Sequence, residues 1–204
     1  CSQPRHFYID RKILKMSFNC KAIIMKSENL IPNFKKLKSV SDKKNMKKHF
    51  YERFKKELSV YGNPSINEIF SKVEYIECDK ESLNSRKINN FAKKFNADIC
   101  IVFGSAIIKS KLLKILPQDT INIHLGLSPM YKGSATLFWP FYNLEPQFAG
   151  ATFHKVSLNA DAGEILHQCV PRLKINDGIH DIGAKVVVRA ANDLIKLLEN
   201  IKKL

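Results

Sequence analysis

The feature that most constrains the fold is a run of five apolar residues, Ile99 to Phe103, followed at once by Gly104. A strand that is apolar at every position is buried on both faces, which is typical of a parallel sheet covered by helices. The glycine indicates a turn at the carboxyl end of this strand. We therefore expect an α/β protein whose central strand ends near residue 103.

Other segments continue this pattern, and the chain's 204 residues suit a single domain over 1–204. Strands are predicted over residues 22–25, 73–78, 120–123, 151–156 and 165–171. Helices are predicted over residues 5–16, 66–70, 84–95, 109–116 and 135–143, with a C-terminal helix over 179–204. A Lys-rich amphipathic helix is predicted over 42–58, with one apolar stripe formed by Met46, Phe50, Phe54 and Leu58. The alternation predicts a mostly parallel open sheet with helices on both faces. Such a fold begins with a strand, but this chain opens on the loop before its first helix. The first strand is therefore expected to be very short or absent.

The formal net charge of +15 comes almost entirely from lysine. This balance fits either a solvated charged surface or an acidic or phosphorylated partner. Nucleic acid is the less favoured partner, because its surfaces rely on the bidentate contacts of arginine and this chain has few arginines.

The five cysteines are scattered and form no Cys-x-x-Cys pair, which argues against a disulfide framework and against a metal site. The apolar runs are too short to span a bilayer, and the start of the chain lacks the apolar region of a signal peptide. We therefore expect a cytoplasmic protein with no membrane span. The sequence leaves the oligomeric state open.

Polar groups lie where the predicted strands end. Asn122 and His124 are two residues apart on one strand and so share a face, and Asp161 lies in the loop between the last two strands. An amide can stabilise an oxyanion, and an imidazole and a carboxylate can exchange protons near neutral pH. Taken singly, each group also fits a structural role, as a strand-end pair or an ordinary turn.

A set of five motifs, in a fixed order between about residues 97 and 168, favours a catalytic role for these polar groups over a structural one. The motifs are Asn122-x-His124, Leu127-Ser128-Pro129-x-Tyr131-Lys132-Gly133, Trp139-Pro140, Gly150-Ala151-Thr152-x-His154 and Asp161-Ala162-Gly163-Glu164-Ile165. In these motifs the chain resembles the formyltransferases that use 10-formyltetrahydrofolate. The run Leu125 to Pro129 and the lysine at position 132 depart from the family's usual residues, which puts substrate choice in doubt more than the transfer itself.

The resemblance implies a Rossmann-like fold and a catalytic trio of Asn122, His124 and Asp161. In the implied mechanism the first two stabilise the oxyanion as an amine attacks the formyl carbon, and Asp161 relays the proton through water. The resemblance also implies 10-formyltetrahydrofolate as co-substrate, without a metal. Its implied contacts are Phe103, Gly104, Ser105, Ile107, Ala160 and Asp161.

For the acceptor, the resemblance implies contacts by the loop before the first helix, which carries Arg5 and His6, and a loop at a helix N-terminus favours an anion. The other expected substrate contacts are Tyr131, Lys132, Gly133 and His154. We expect a small phosphorylated amine, most of all a nucleotide-linked amino sugar. Glycinamide ribonucleotide and methionyl-tRNA remain alternatives, as do a formyltetrahydrofolate hydrolase and a non-catalytic binding module of the same fold.

Overall fold

The computed structural model describes residues 2–26, 39–159 and 161–201, and the α/β class is confirmed. Its helices are α1 (Pro4–Leu14), α2 (Val40–Tyr61), α3 (Ile66–Phe70), α4 (Arg86–Phe95), α5 (Ser110–Leu113), α6 (Trp139–Tyr142) and α7 (Ile179–Ile201), with a 3₁₀ turn at Pro146–Phe148. Its strands are β1 (Lys21–Met25), β2 (Glu74–Cys78), β3 (Ile99–Phe103), β4 (Asp119–His124), β5 (Ala151–Lys155) and β6 (Ile165–Cys169).

The strands form two sheets. β1 pairs with β2 in parallel, and a four-stranded sheet has the order β3-β4-β5-β6. The β3–β4 pairing is parallel, as expected, whereas β5 pairs antiparallel with both β4 and β6. β3 is at one end of the larger sheet, and among the described strands it pairs only with β4.

Helices cover both faces of the sheets, as the apolar strands predicted. On one face, α7 packs against the larger sheet with α1 and α2 beside it, and the buried cluster there includes Ile9, Ile121, Phe153, Val186 and Leu194. On the opposite face of β1 and β2, α4 and α5 contribute Ile88 and Leu112 to a second cluster. Burial of these side chains at about 25 cal/mol per Å² supplies the main driving force for folding.

Helix α2 is longer than the predicted 42–58 segment, and Phe50, Phe54 and Leu58 of its predicted apolar stripe are partly buried. Its N-terminal half is largely exposed, and Met46 of the predicted apolar stripe keeps 38% of its surface in solvent. The deeply buried residues are Glu57 and Tyr61, and the Tyr61 hydroxyl donates to the Ala184 carbonyl at 3.1 Å. The apolar pattern left out Glu57 because the burial of this residue depends on an ion pair with Arg5 of α1, which a pattern of apolar residues does not register.

A second helix differs from its predicted extent, and the C-terminal helix does not. The predicted helix over 135–143 shortens to the four residues of α6, because Ala135 has a positive φ of 57° and Pro140 follows closely. The C-terminal helix begins at Ile179 as predicted, and residues 202–204 lie outside the described residues. Among the described helices, none has the length and apolar character needed to cross a membrane.

Candidate active site

The register of the larger sheet gathers polar side chains on one face. Ile121 and Ile123 of β4 point into the core beneath α7, so Asn122 and His124 project from the opposite face. In the antiparallel register with β5, Asn122 is opposite His154 and His124 is opposite Thr152. A strip of polar residues therefore crosses two neighbouring strands at the end of β4.

The imidazole of His124 is held in one tautomer. Its Nε2 lies 2.8 Å from the Tyr131 carbonyl oxygen, which can only accept, so Nε2 carries the hydrogen. Its Nδ1 then faces Asp161 Oδ1 at 3.5 Å. Because that gap is longer than a direct hydrogen bond, Nδ1 is left free to exchange a proton in the cleft.

The amide of Asn122 is oriented by His154. The His154 Nδ1 lies 2.9 Å from the Lys155 carbonyl oxygen and so carries that ring's hydrogen. The unprotonated Nε2 accepts a hydrogen bond from Asn122 Nδ2 at 3.1 Å. The second hydrogen on Nδ2 is available to an oxygen in the cleft, which makes Asn122 a donor of the oxyanion-hole type.

The carboxylate of Asp161 lies between the two imidazoles. Its Oδ2 accepts from the Gly133 backbone N–H at 2.9 Å, while Oδ1 is 3.5 Å from His124 Nδ1 and 3.4 Å from His154 Nε2. Asp161 adopts a left-handed conformation, φ 49°, which Asp tolerates better than most residues. The structure therefore brings the three residues of the predicted catalytic trio to one cleft.

A tight turn supports that position of Asp161. A Cβ built at Gly163 would overlap the Lys155 carbonyl oxygen and press on the His154 ring. Only glycine lets the loop fold this closely over β5. Gly163 thus connects the Asp161 loop to the strand that carries His154.

Thr152 and Gln168 hold the loop after His124. The Thr152 hydroxyl donates to the Gly126 carbonyl at 2.7 Å and accepts from the Ser128 N–H at 3.0 Å. Gln168, opposite Thr152 on β6, donates to the Ser128 carbonyl at 2.7 Å. These bonds fix residues 126–128, which sequence reasoning left without a structural role.

Four of the residues predicted to contact folate lie at the end of β3 or in the loop after it. Phe103 is half-buried, whereas Gly104 and Ser105 are exposed. Gly104 has a positive φ of 64°. The loop then presents Ile107, whose side chain is 71% exposed, and Asn84 pins that loop through bonds to the Ile107 carbonyl and the Lys109 N–H. Ala160, also predicted as a folate contact, lies outside the described residues.

His6 and Arg5 adjoin this strand end in different ways. His6 is buried against Phe103 with ring centroids 4.7 Å apart, and a Cβ at Gly104 would collide with its Nε2. Burial lowers the pKa of His6 well below its usual value, so the ring is neutral at pH 7 and is not a cationic donor. Arg5 is partly exposed and donates to Glu57 at 2.6 Å.

Arg53 is a residue that the sequence analysis missed. It lies one helical turn before Glu57 on α2, and its Nε is 3.5 Å from the same Glu57 oxygen that Arg5 contacts. Burial, with repulsion from Arg5, lowers the pKa of Arg53 to about 10. Two guanidinium groups share one carboxylate, so this cluster between α1 and α2 has an excess positive charge. Its only sequence signal was the i,i+4 spacing of Arg53 and Glu57.

The segment over 131–133 acts mainly through its backbone. The Tyr131 side chain is buried and hydrogen-bonds to Glu145 and Asn143, while its carbonyl holds His124. Gly133 donates to Asp161, and Lys132 is exposed beside it. Of the predicted substrate contacts in this segment, only Lys132 presents a side chain to solvent.

Within the part of the chain that the structure describes, no group of three or more His, Cys, Asp or Glu residues is arranged to hold a metal ion.

Comparison with known proteins places this geometry in a family. The model of the family described as formyl transferase matches residues 23–198. The chain is 30% identical over 110 residues to a methionyl-tRNA formyltransferase of Azobacteroides pseudotrichonymphae, covering 50% of this chain and 34% of that protein. It is 27% identical over 130 residues to a GDP-perosamine N-formyltransferase of Brucella melitensis, and this match covers 63% of this chain and 49% of that protein. The chain thus spans between about a third and a half of these curated relatives.

Solved structures support the fold. A phosphoribosylglycinamide formyltransferase from Streptococcus pneumoniae aligns over 98% of this chain and 95% of its own with a TM-score of 0.63 at 13% identity. A 4-N formyltransferase from Francisella tularensis aligns over 98% of this chain and 67% of its own, with a TM-score of 0.60 at 18% identity. At these identities the likeness shows the fold, which is the predicted Rossmann-like arrangement.

Proposed function

The chain belongs to the formyl transferase family, and we propose that it transfers a formyl group from 10-formyltetrahydrofolate to a primary amine. The observation that carries the proposal is the convergence of Asn122, His124 and Asp161 on one cleft, with Asp161 Oδ1 3.5 Å from His124 Nδ1. An amide donor can stabilise the oxyanion formed in acyl transfer to an amine, and an imidazole and a carboxylate can move the proton that the amine loses.

The surroundings of the cleft fit a folate. Phe103 and Ile107 offer apolar surface after β3, and Leu158 is 64% exposed on the loop that carries Asp161. A flat heterocycle needs such apolar walls together with a few polar groups that fix its orientation. The folate supplies an activated formyl group when it is bound. Phe103, Gly104, Ser105, Ile107, Ala160 and Asp161 are the residues proposed to hold it.

Each residue of the trio has a role that its contacts support. Asn122 Nδ2 keeps one hydrogen for the formyl oxygen, where negative charge develops as the amine attacks. His124 can donate to that oxygen only when Nδ1 is protonated, because Nε2–H is committed to Tyr131. The Asp161 carboxylate stabilises this imidazolium, and its Oδ1 accepts the proton that the amine loses, through a bridging water where the gap requires one. The same proton then passes to the folate nitrogen as the bond between that nitrogen and the formyl carbon breaks.

For the acceptor, we propose a phosphorylated amine of the nucleotide-linked amino-sugar class. Arg5 and Arg53 share Glu57 at the start of α1, where two guanidinium groups against one carboxylate leave a net positive charge that favours an anion. The Brucella relative, named for GDP-perosamine, and the Francisella 4-N formyltransferase support this class. Methionyl-tRNA remains the second candidate, supported by the identity to methionyl-tRNA formyltransferases and by the Lys-rich exposed half of α2.

The test is an assay of tetrahydrofolate release from 10-formyltetrahydrofolate. The acceptor panel contains amino-sugar nucleotides, glycinamide ribonucleotide and methionyl-tRNA, with a sample that lacks any amine. We expect release with an amino-sugar nucleotide, loss of release in His124→Ala, and retained release in His167→Ala, because His167 contacts Asp193 and lies outside the cleft. Release without an amine would identify a hydrolase, and no release with any acceptor would refute formyl transfer.

A further inference from the structure

Helix α6 presents two aromatic rings to solvent as a corner. Trp139 and Tyr142 keep 44% and 69% of their surfaces exposed, and their rings meet at 85° with centroids 5.6 Å apart. Phe138 contacts both rings, at 5.5 Å and 6.0 Å between centroids. Exposed apolar residues are ordinary when they are scattered, whereas a contiguous group of rings indicates a contact site. In this aromatic corner a flat ring can stack on one face and meet the edge of the other ring.

Hydrogen bonds hold the aromatic corner to the candidate active site. The Tyr131 hydroxyl accepts from Asn143, the residue after α6, at 3.1 Å, while the Tyr131 carbonyl holds His124. On the other side of α6, the Thr136 hydroxyl donates to the carbonyl of Leu125, which follows His124 in the chain. The corner is therefore fixed to the residues that position the imidazole of His124.

The aromatic corner adjoins the cluster formed by Arg5, Arg53 and Glu57. The Phe138 ring contacts His49 of α2, with ring centroids 5.8 Å apart. His49 precedes Arg53 by four residues, which is about 6 Å along the helix axis. Burial and the nearby Arg53 lower the pKa of His49, so its ring is neutral at pH 7 and packs against Phe138 as an aromatic group. Exposed rings and a cluster with excess positive charge thus lie side by side.

A nucleotide carries both of the groups that these neighbouring features bind. A flat heterocycle stacks on aromatic side chains, and a phosphate pairs with guanidinium groups. A sugar phosphate without a base would leave the rings uncovered, and an apolar peptide would leave the cationic cluster without an anion. We propose that Trp139 and Tyr142 form a stacking site for the base of a nucleoside diphosphate, whose phosphates lie at Arg53. This base site deepens the proposed function and rests on it, because the nucleotide is the part of the acceptor that carries the amino sugar.

The charges around the aromatic corner fit a single nucleotide better than an RNA strand. Residues 133–153 contain no lysine or arginine, and Glu145 is their one charged residue. A strand of RNA needs cations along its whole path, because each of its nucleotides brings a phosphate. Cations meet the corner on the side of Arg53, where the phosphates of one nucleotide would lie.

The test uses the fluorescence of Trp139, which is the chain's only tryptophan and therefore reports directly on the aromatic corner. UDP and GDP are titrated into the protein without folate or amine, in parallel with ribose 5-phosphate and inorganic pyrophosphate. We expect the two nucleotides to quench most of the emission, because a base stacked on the corner contacts the indole ring. The two phosphates that lack a base should leave the emission nearly unchanged.

Substitutions at Tyr142 keep the reporter and change the other ring. Tyr142→Leu removes a stacking face, so we expect the Kd of UDP to rise roughly tenfold, whereas Tyr142→Phe keeps the ring and should stay within about twofold of the parent protein. Leu144→Ala is the matched control, because it shortens an exposed apolar side chain outside the corner and should also leave the Kd within about twofold. Circular dichroism of each variant confirms that it is folded.

Because binding is measured without folate or amine, the base site and the proposed function can fail separately. Quenching by nucleotides in a protein that releases no tetrahydrofolate would support the base site and refute formyl transfer. Release with an amino-sugar nucleotide, but no quenching by UDP or GDP, would overturn the base site alone. Equal quenching by UDP and ribose 5-phosphate, or an equal rise of Kd in both Tyr142 variants, would also overturn it. Salt-dependent binding of oligouridylate that is tighter than that of UDP would assign the rings to RNA instead.

Discussion

Asn122 and His154 lie opposite each other on β4 and β5 and are joined by a hydrogen bond of 3.1 Å from the Asn122 amide to His154 Nε2. The bond makes His154 a positioning residue, because it directs an amide hydrogen of Asn122 toward the cleft. It also connects the proposed oxyanion donor to the loop of Asp161, which is 3.4 Å from the same His154 nitrogen.

Replacing His154 tests this positioning role. His154→Leu removes the acceptor for Asn122, and we expect kcat to fall roughly tenfold, less than the 10²- to 10³-fold typical for loss of an oxyanion donor itself. His154→Gln offers a side-chain oxygen as acceptor and should restore most of the rate. Steady-state kinetics and thermal unfolding are measured together. An equal loss in both variants at unchanged Tm would argue against orientation of Asn122.

The proton-transfer role of Asp161 can be separated from its structural bond. Asp161→Asn retains a side-chain oxygen for the Gly133 N–H but no longer accepts a proton, so we expect kcat to fall by about 10²- to 10⁴-fold. Asp119→Asn makes the same change at the exposed start of β4 and should leave kcat unchanged. A rate for Asp161→Asn within threefold of the parent protein would exclude Asp161 from the proton path.

Gly163→Ala tests whether the close approach of the Asp161 loop to β5 is required. The added methyl group would overlap the Lys155 carbonyl, so the loop must shift and carry Asp161 away from His124. We expect a loss of activity of at least tenfold with the fold retained. Gly183→Ala on α7 is the matched control, since its new methyl group has 3.8 Å of room and favours the helix by about 0.5–1 kcal/mol. Full activity in Gly163→Ala would mean that the loop position tolerates displacement.

The local parts of this site could be predicted from the sequence, and the non-local parts could not. Asn122 and His124 share a strand, so a period of two residues was enough to place them on one face. His154 faces Asn122 only because β5 pairs antiparallel with β4 in one particular register. That register depends on packing between segments thirty residues apart, which periodicity does not report.

The buried charges of α2 were missed for a related reason. Apolar periodicity predicted a buried stripe of Met46, Phe50, Phe54 and Leu58, and the last three are partly buried. It could not predict that Glu57, on the same side of the helix, is buried with them. Its burial is compensated by Arg5, which is 52 positions away in the chain. The partner could be identified only after the fold had brought α1 and α2 together.

Arg53 gives a test of the acceptor's charge. Arg53→Gln leaves Glu57 paired with Arg5 and removes the excess positive charge, so we expect the KM of a phosphorylated acceptor to rise roughly tenfold with little change in kcat. Lys47→Gln makes the same charge change at an exposed position of α2 and should alter KM by less than twofold. Equal effects of the two substitutions would indicate general electrostatic attraction in place of a defined anion site.

Asp10, on α1, makes the stability of the folded protein depend on pH. Burial raises the pKa of Asp10 from its ordinary value near 3.8 to about 7. Because the folded protein holds this proton more tightly than the unfolded chain, the stability that it contributes is complete below pH 4 and is lost as the pH rises through 7. Asp10→Asn removes the dependence, so the variant should gain stability relative to the parent protein between pH 4 and 7, with a constant advantage above pH 7.

Urea unfolding midpoints of the two proteins, measured from pH 4 to pH 8.5, test this expectation for Asp10. Asp79→Asn is a control of opposite sign, because hydrogen bonds from Ser82 lower the pKa of Asp79 and stabilise its ionised form. That variant should be less stable than the parent at pH 7, and the difference should shrink as the pH falls through the Asp79 pKa. A midpoint difference for Asp10→Asn that does not change between pH 4 and 8.5 would show that Asp10 titrates alike in the folded and unfolded states.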